Sequence, residues 1–142
     1  MLFDMVSLKV YTDGGARGNP GPAAIALLIT DENGKLLSSH SEYIGIATNN
    51  VAEYRAVLRA LAMARKHKPD SVTCFLDSKL VASQLSGSYR IKKAHLMELH
   101  RMVKDAEKGL GNVDYRHVRR TDSSIEVADR MLNRMLDKVG KV

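Results

Sequence analysis

The chain alternates between two hydrophobic periods. Val6 to Thr12 is a β-branched, apolar run that reads as a strand. It gives way at Asp13 to Gly14, Gly15, Gly18 and Gly21, which read as a loop bringing bare backbone close to a ligand. Pro22 to Thr30 is a second strand, and Asn33-Gly34 marks a hairpin into a third, Leu36 to Ile44. The period then changes. Thr48-Asn49-Asn50 caps a helix carrying Tyr54, Val57, Leu58 and Leu61 at helical spacing, which runs to about Lys66 before Pro69. Ser71 to Leu76 is a short strand closed by Asp77-Ser78, and Lys79 to Leu85 a short helix broken by Gly87. Ala94 to Lys108 is a helix with Leu96, Leu99, Met102, Val103 and Ala106 on one side. Asn112 to Val118 is a fifth strand, Arg119 to Ser124 a polar loop, and Ile125 to Val139 a last amphipathic helix. The order βββαβααβα predicts an α/β fold: three hairpin-linked strands, then strands separated by helices, in one mixed five-stranded sheet flanked by helices. No repeat or linker interrupts it, so residues 1–142 read as a single domain.

Composition narrows the function classes. A 142-residue chain is long enough for a real core. No apolar run is long enough to cross a membrane, and the first residues lack the basic-then-apolar pattern of a secretory signal. Cys74 is the single cysteine, so an intramolecular disulfide is excluded and a reducing, cytoplasmic location is expected. The net charge of +6 points to a polyanionic partner. Most of it comes from Lys79, Arg90, Lys92, Lys93, Arg101 and Lys104, opposed only by Glu98, which makes either a phosphate-contact surface or a solvated helix face.

Four carboxylates are placed where burial should discourage them. Asp13 and Asp77 end apolar strands, while Glu53 and Asp129 sit at the margins of apolar helix faces, each in an early turn. Each has an ordinary structural reading: turn residue, helix cap, dipole partner or exposed first-turn acid. If the first and fourth strands run parallel as neighbours, Asp13 and Asp77 emerge side by side at their C-terminal ends, where sites collect in α/β sheets. Clustered carboxylates repel and raise one another's pKa unless a divalent cation compensates them. Hard oxygen ligands suit Mg²⁺, and two such ions about 3.5–4 Å apart clamp both oxygens of a phosphodiester displacement.

The segments Thr12-Asp13-Gly14-Gly15, Gly18-Asn19-Pro20-Gly21, Thr48-Asn49-Asn50-Val51-Ala52-Glu53, Asp77-Ser78 and Ala128-Asp129 resemble ribonuclease H, type 1, in order and spacing, from about Val6 to Leu136. The resemblance is to a variant without the family's basic handle, as in archaea and bacteria. It implies an endonuclease that cuts the RNA strand of an RNA–DNA hybrid, leaving 5′-phosphate and 3′-hydroxyl ends. It implies that Asp13, Glu53, Asp77 and Asp129 are the catalytic acids and hold two Mg²⁺ ions, with Mn²⁺ as an alternative, and that Asp13 bridges both. It further implies that Gly14, Gly15, Asn19, Thr48, Asn49 and Asn50 contact the hybrid, whose 2′-hydroxyls mark the RNA strand. Ser78 and Lys79 begin a helix expected to add phosphate contacts. The chain departs from the family in two places. Gly87 to Lys93 joins two helices directly where many members insert the handle, which shifts hybrid binding to Arg90, Lys92 and Lys93. Many members also carry a histidine in the loop before the last acid; Val118 to Asp129 contains none, and Arg119 or Arg120 is the candidate substitute. Cleavage of double-stranded RNA as well, or nucleic-acid binding without catalysis, are the alternative readings. No protein partner is readable, and a monomer is expected.

Overall fold

In the computed structural model, which describes residues 5–140, ten stretches of regular structure follow the expected order. The strands are β1 (Ser7–Ala16), β2 (Gly21–Asp31), β3 (Leu36–Ala47), β4 (Ser71–Leu76) and β5 (Asn112–His117). The helices are α1 (Asn49–Ala64), α2 (Lys79–Leu85), α3 (Ala94–Ala106) and α4 (Ser123–Val139), with one 3₁₀ turn at Arg65–His67 after α1. The sheet runs β3-β2-β1-β4-β5. β1, β2 and β3 are antiparallel, whereas β4 lies parallel to both β1 and β5.

β2 explains the layering. Its Ala-Ala-Ile-Ala-Leu-Leu-Ile run is buried throughout, as expected of a strand covered on both faces. Leu27 and Ile29 face one way into a large core with Val10, Tyr54, Val57 and Leu61, together with residues of α2 and α3. Ala24 and Ala26 face the other way onto Ala128, Leu132 and Leu136 of α4. Small alanines there let α4 approach the sheet closely. α1, α2 and α3 therefore cover one face, and α4 lies on the other.

Caps set the helix starts. The Thr48 hydroxyl accepts from the Val51 amide, the Ser78 hydroxyl from the Val81 amide, and the Asp122 carboxylate from the amides of Ser124 and Ile125. The last cap starts α4 at Ser123, ahead of the first apolar residue of its stripe. No described helix is long and apolar enough to cross a membrane.

One expectation is corrected. Gly14 and Gly15 are not loop residues but continue β1, paired with Ile25 and Ala24 of β2. The turn is confined to Arg17–Pro20 and closes with the Arg17 amide donating to the Pro22 carbonyl at 2.8 Å. Glycine is needed at position 14 for packing, since a Cβ there would overlap the Ala52 carbonyl in the first turn of α1. β3 also runs on beyond Ile44 to Ala47, with Gly45 at φ +83° beside a break in its register with β2.

Gly14→Ala should therefore force α1 off the sheet. The expected loss is about 1–3 kcal/mol of stability, as for other overpacked sites, read from urea unfolding against the unaltered chain.

Candidate active site

The β1–β4 ladder ends at the pair Thr12 and Leu76, so the next residue on each strand, Asp13 and Asp77, emerges at the same edge. Glu53 arrives from α1, one residue after the Ala52 carbonyl that rests on Gly14. Carboxylate oxygens of Asp13, Glu53 and Asp77 all lie within 4.8 Å of one another. Asp129, from α4 on the opposite face of the sheet, lines the same cleft of about 400 Å³. Four elements thus bring four acids to one opening.

Burial makes this arrangement costly. Asp13 is 6% exposed and Glu53 8%. Burial, then repulsion from Asp77 and Asp129, pushes the Asp13 carboxyl up to about 8. Burial, then Asp13 and Asp77, holds Glu53 well above the usual carboxylate range. Glu53 Oε2 and Asp77 Oδ1 are buried and have no hydrogen-bond partner. The guanidinium of Arg120 pairs with Asp77, with Nε 3.6 Å from Oδ2, and its charge partly offsets the rise at Glu53. Unpaired, converging carboxylate oxygens match the donor set of a hard divalent cation, which satisfies them without a fixed protein donor. The residues present therefore fit such an ion.

The other residues singled out from the sequence divide into three groups. Gly14, Gly15, Asn49, Asn50 and Ser78 line the cleft with the acids. Asn19 and Thr48 do not line it. Asn19 Oδ1 accepts from the Asn49 amide at 2.9 Å, and Asn49 Oδ1 accepts from the Ala16 amide at 2.8 Å, so the two asparagines clasp the β1–β2 turn to the start of α1. Lys79, Arg90, Lys92 and Lys93 are exposed and lie outside the cleft lining. Of the two loop arginines, Arg120 lines the cleft and Arg119 does not. Leu132 also lines the cleft beside Gly15, and nothing in the sequence distinguishes it from the other core leucines of α4.

The family described as reverse transcriptase-like matches residues 11–134. The chain is 35% identical over 133 residues to bifunctional protein Rv2228c of Mycobacterium tuberculosis, covering 93% of this chain and 36% of that protein. It is 35% identical over 130 residues to ribonuclease HI of Halobacterium salinarum, covering 92% of this chain and 64% of that protein. The solved structure of LC11-RNase H1 in complex with RNA/DNA hybrid superposes with a TM-score of 0.87 at 38% identity, covering 93% of this chain and 98% of that one. The chain belongs to the ribonuclease H1 family. It spans roughly a third to two thirds of the length of these two curated relatives. The resemblance found at the acid motifs therefore extends to the whole ribonuclease H1 architecture, including the mixed sheet. The direct α2–α3 connection predicted from the sequence is present, with α2 ending at Leu85 and α3 starting at Ala94.

The raised Asp13 carboxyl has a consequence for stability. A carboxyl at about 8 in the fold, against about 4 in an unfolded chain, favours the protonated folded state. Its contribution is fully present below pH ~4 and is lost as pH rises through about 8. In EDTA, the Tm should fall between pH 5 and 8, and Asp13→Asn should flatten that fall. Adding Mg²⁺ at pH 8 should raise the Tm of the unaltered chain and leave Asp13→Asn less affected. Circular dichroism melts check both.

Proposed function

We propose that the protein is an endonuclease that hydrolyses the RNA strand of RNA–DNA hybrids, leaving 5′-phosphate and 3′-hydroxyl ends. The observation carrying this reading is the meeting of Asp13, Glu53 and Asp77 within 4.8 Å, beside Asp129, in an open cleft with unpaired oxygens. A hybrid-bound relative of the same fold supports the choice of substrate.

Asp13, Glu53, Asp77 and Asp129 would hold two Mg²⁺ ions, with Mn²⁺ able to replace Mg²⁺. Bound there, such ions would supply an activated water and stabilise the developing charge on the leaving 3′-oxygen. The chain's own residues do the rest. The β1–β4 ladder and the close approach of Gly14 to Ala52 fix the acids before substrate arrives, so their alignment is not left to the reaction itself. The Asn19–Asn49 clasp uses the side-chain oxygens of both residues and leaves their amide NH₂ groups free to donate. With Asn50, these donors suit sugar and base-edge acceptors in the minor groove of a hybrid. Thr48 acts indirectly by starting α1 at the right place. Ser78, at the cleft edge, and Lys79, on the first turn of α2, suit backbone phosphates. Arg120, not Arg119, takes the place of the family's loop histidine: it enters the cleft on a side chain that is 85% exposed and free to move between Asp77 and a phosphate. Arg90, Lys92 and Lys93 extend the binding surface along the duplex as unspecific phosphate neutralisers. All four acids come from one chain, so a monomer suffices, and buried Cys74 fits a reducing cytoplasmic setting.

The deciding test is Mg²⁺-dependent cleavage of labelled RNA–DNA, RNA–RNA and DNA–DNA duplexes. The hybrid should be cut in its RNA strand and the DNA duplex left intact; survival of the hybrid while another duplex is cut would overturn the reading. Asp13→Asn, Glu53→Gln and Asp77→Asn should each lower the rate by at least about 10²–10³-fold, the scale of losing one preorganised charge-stabilising group, with folding retained. Normal cleavage by all three variants would refute the site assignment.

Lys92→Ala with Lys93→Ala should instead weaken hybrid binding evenly across sequences. The slope of log affinity against log salt should become shallower by about 0.9 for each phosphate that is no longer neutralised, measured by fluorescence anisotropy with an acid-site variant.

A further inference from the structure

The acids are held to different standards. Asp13 lies on β1 and Asp77 directly follows β4, and backbone hydrogen bonds between these two strands fix their spacing. Glu53 stands on α1, which packs on the sheet through apolar side chains, and apolar packing is non-directional. Gly14 fixes how closely α1 approaches β1 but does not tie it to the β4–α2 side, where Asp77 lies. Among the described residues, one side-chain hydrogen bond makes that tie. The Tyr54 hydroxyl donates to Gln84 Oε1 at 2.7 Å, inside the core. Tyr54 directly follows Glu53. Gln84 lies on α2, the helix capped by Ser78 next to Asp77. The backbone carbonyl of Gln84 is in turn met by Nε2 of His100 on α3 at 3.2 Å, which holds α2 from its other side.

Tyr54 is fully buried and Gln84 nearly so. Polar groups in such a place are costly unless paired, and apolar residues of the same volume would fill it at no polar cost. What the pair adds over an apolar filling is direction: one allowed distance and angle between two helices.

We infer that the Tyr54–Gln84 hydrogen bond is a positioning interaction that sets Glu53 against Asp77 and thereby sets the affinity of the acid cluster for its divalent cation. The inference rests on the metal-dependent reading above. Neither side chain lines the cleft, so both act through the acids they place.

The test uses the full chain and two single variants, Tyr54→Phe and Gln84→Met, each of which removes the bond while keeping the volume. Mg²⁺ binding is read by isothermal titration calorimetry, and cleavage is read as a function of Mg²⁺ concentration. The Kd for Mg²⁺ and the half-activating concentration should rise together by about three- to tenfold, the worth of one net buried hydrogen bond, while the rate at saturating Mg²⁺ is unchanged. The double variant should be no weaker than the single ones, because both remove the same bond. A lower Tm with unchanged Mg²⁺ affinity in either folded variant would show the bond to be merely structural and overturn the inference. Failure of the unaltered chain to bind Mg²⁺ would overturn the metal reading first, and this inference with it.

Discussion

Mutual repulsion of buried carboxylates is the constraint to which the rest of the structure answers. Asp13, Glu53 and Asp77 crowd together in a place that disfavours their charged forms, and Asp129 adds a fourth charge nearby. Left to themselves, such side chains would move apart and let water in. They cannot, because each is mounted on an element fixed elsewhere: a central strand with hydrogen bonds on both sides, a helix seated on a glycine, the end of a parallel strand, and a helix on the far face. The apolar core thus stabilises a cluster that opposes folding, and a bound cation relieves that opposition.

The same constraint explains the chain's charge. The cleft is acidic, yet the protein carries a net charge of +6. The cations are kept out of the cluster: Lys79, Arg90, Lys92 and Lys93 are all exposed outside it, and among the described residues only Arg120 reaches in. On the proposed function, a basic exterior around an acidic centre would attract a polyanion over distance, while the centre would accept a phosphate only together with cations. Attraction and chemistry would then fall to different residues.

Much of this could be read from the sequence, for physical reasons that differ by element. β4 and α2 have the same boundaries in the sequence reading and in the structure, because Asp77-Ser78 both ends the apolar run and supplies the cap. That helices flank a mixed sheet was legible in the order of elements, hairpin strands first and then strands separated by helices. The length of β1 was not, since Gly14 and Gly15 carry no side chain from which to read a period; Gly14 is a glycine because of Ala52, far along the chain. The acids stand out only as a set, each having an ordinary explanation alone. The roles of Asn19 and Asn49 were hidden because a clasp across 30 residues leaves no local trace. Arg119 and Arg120 are equivalent in sequence, and only the course of the loop separates them.

The placement of α4 has a consequence for how the protein is made. It is the last of these elements in chain order, it packs on its own small cluster of alanines and leucines, and it alone carries Asp129. During synthesis Asp13, Glu53 and Asp77 are all made before the fourth acid. A growing chain therefore holds an incomplete set of acids until α4 docks.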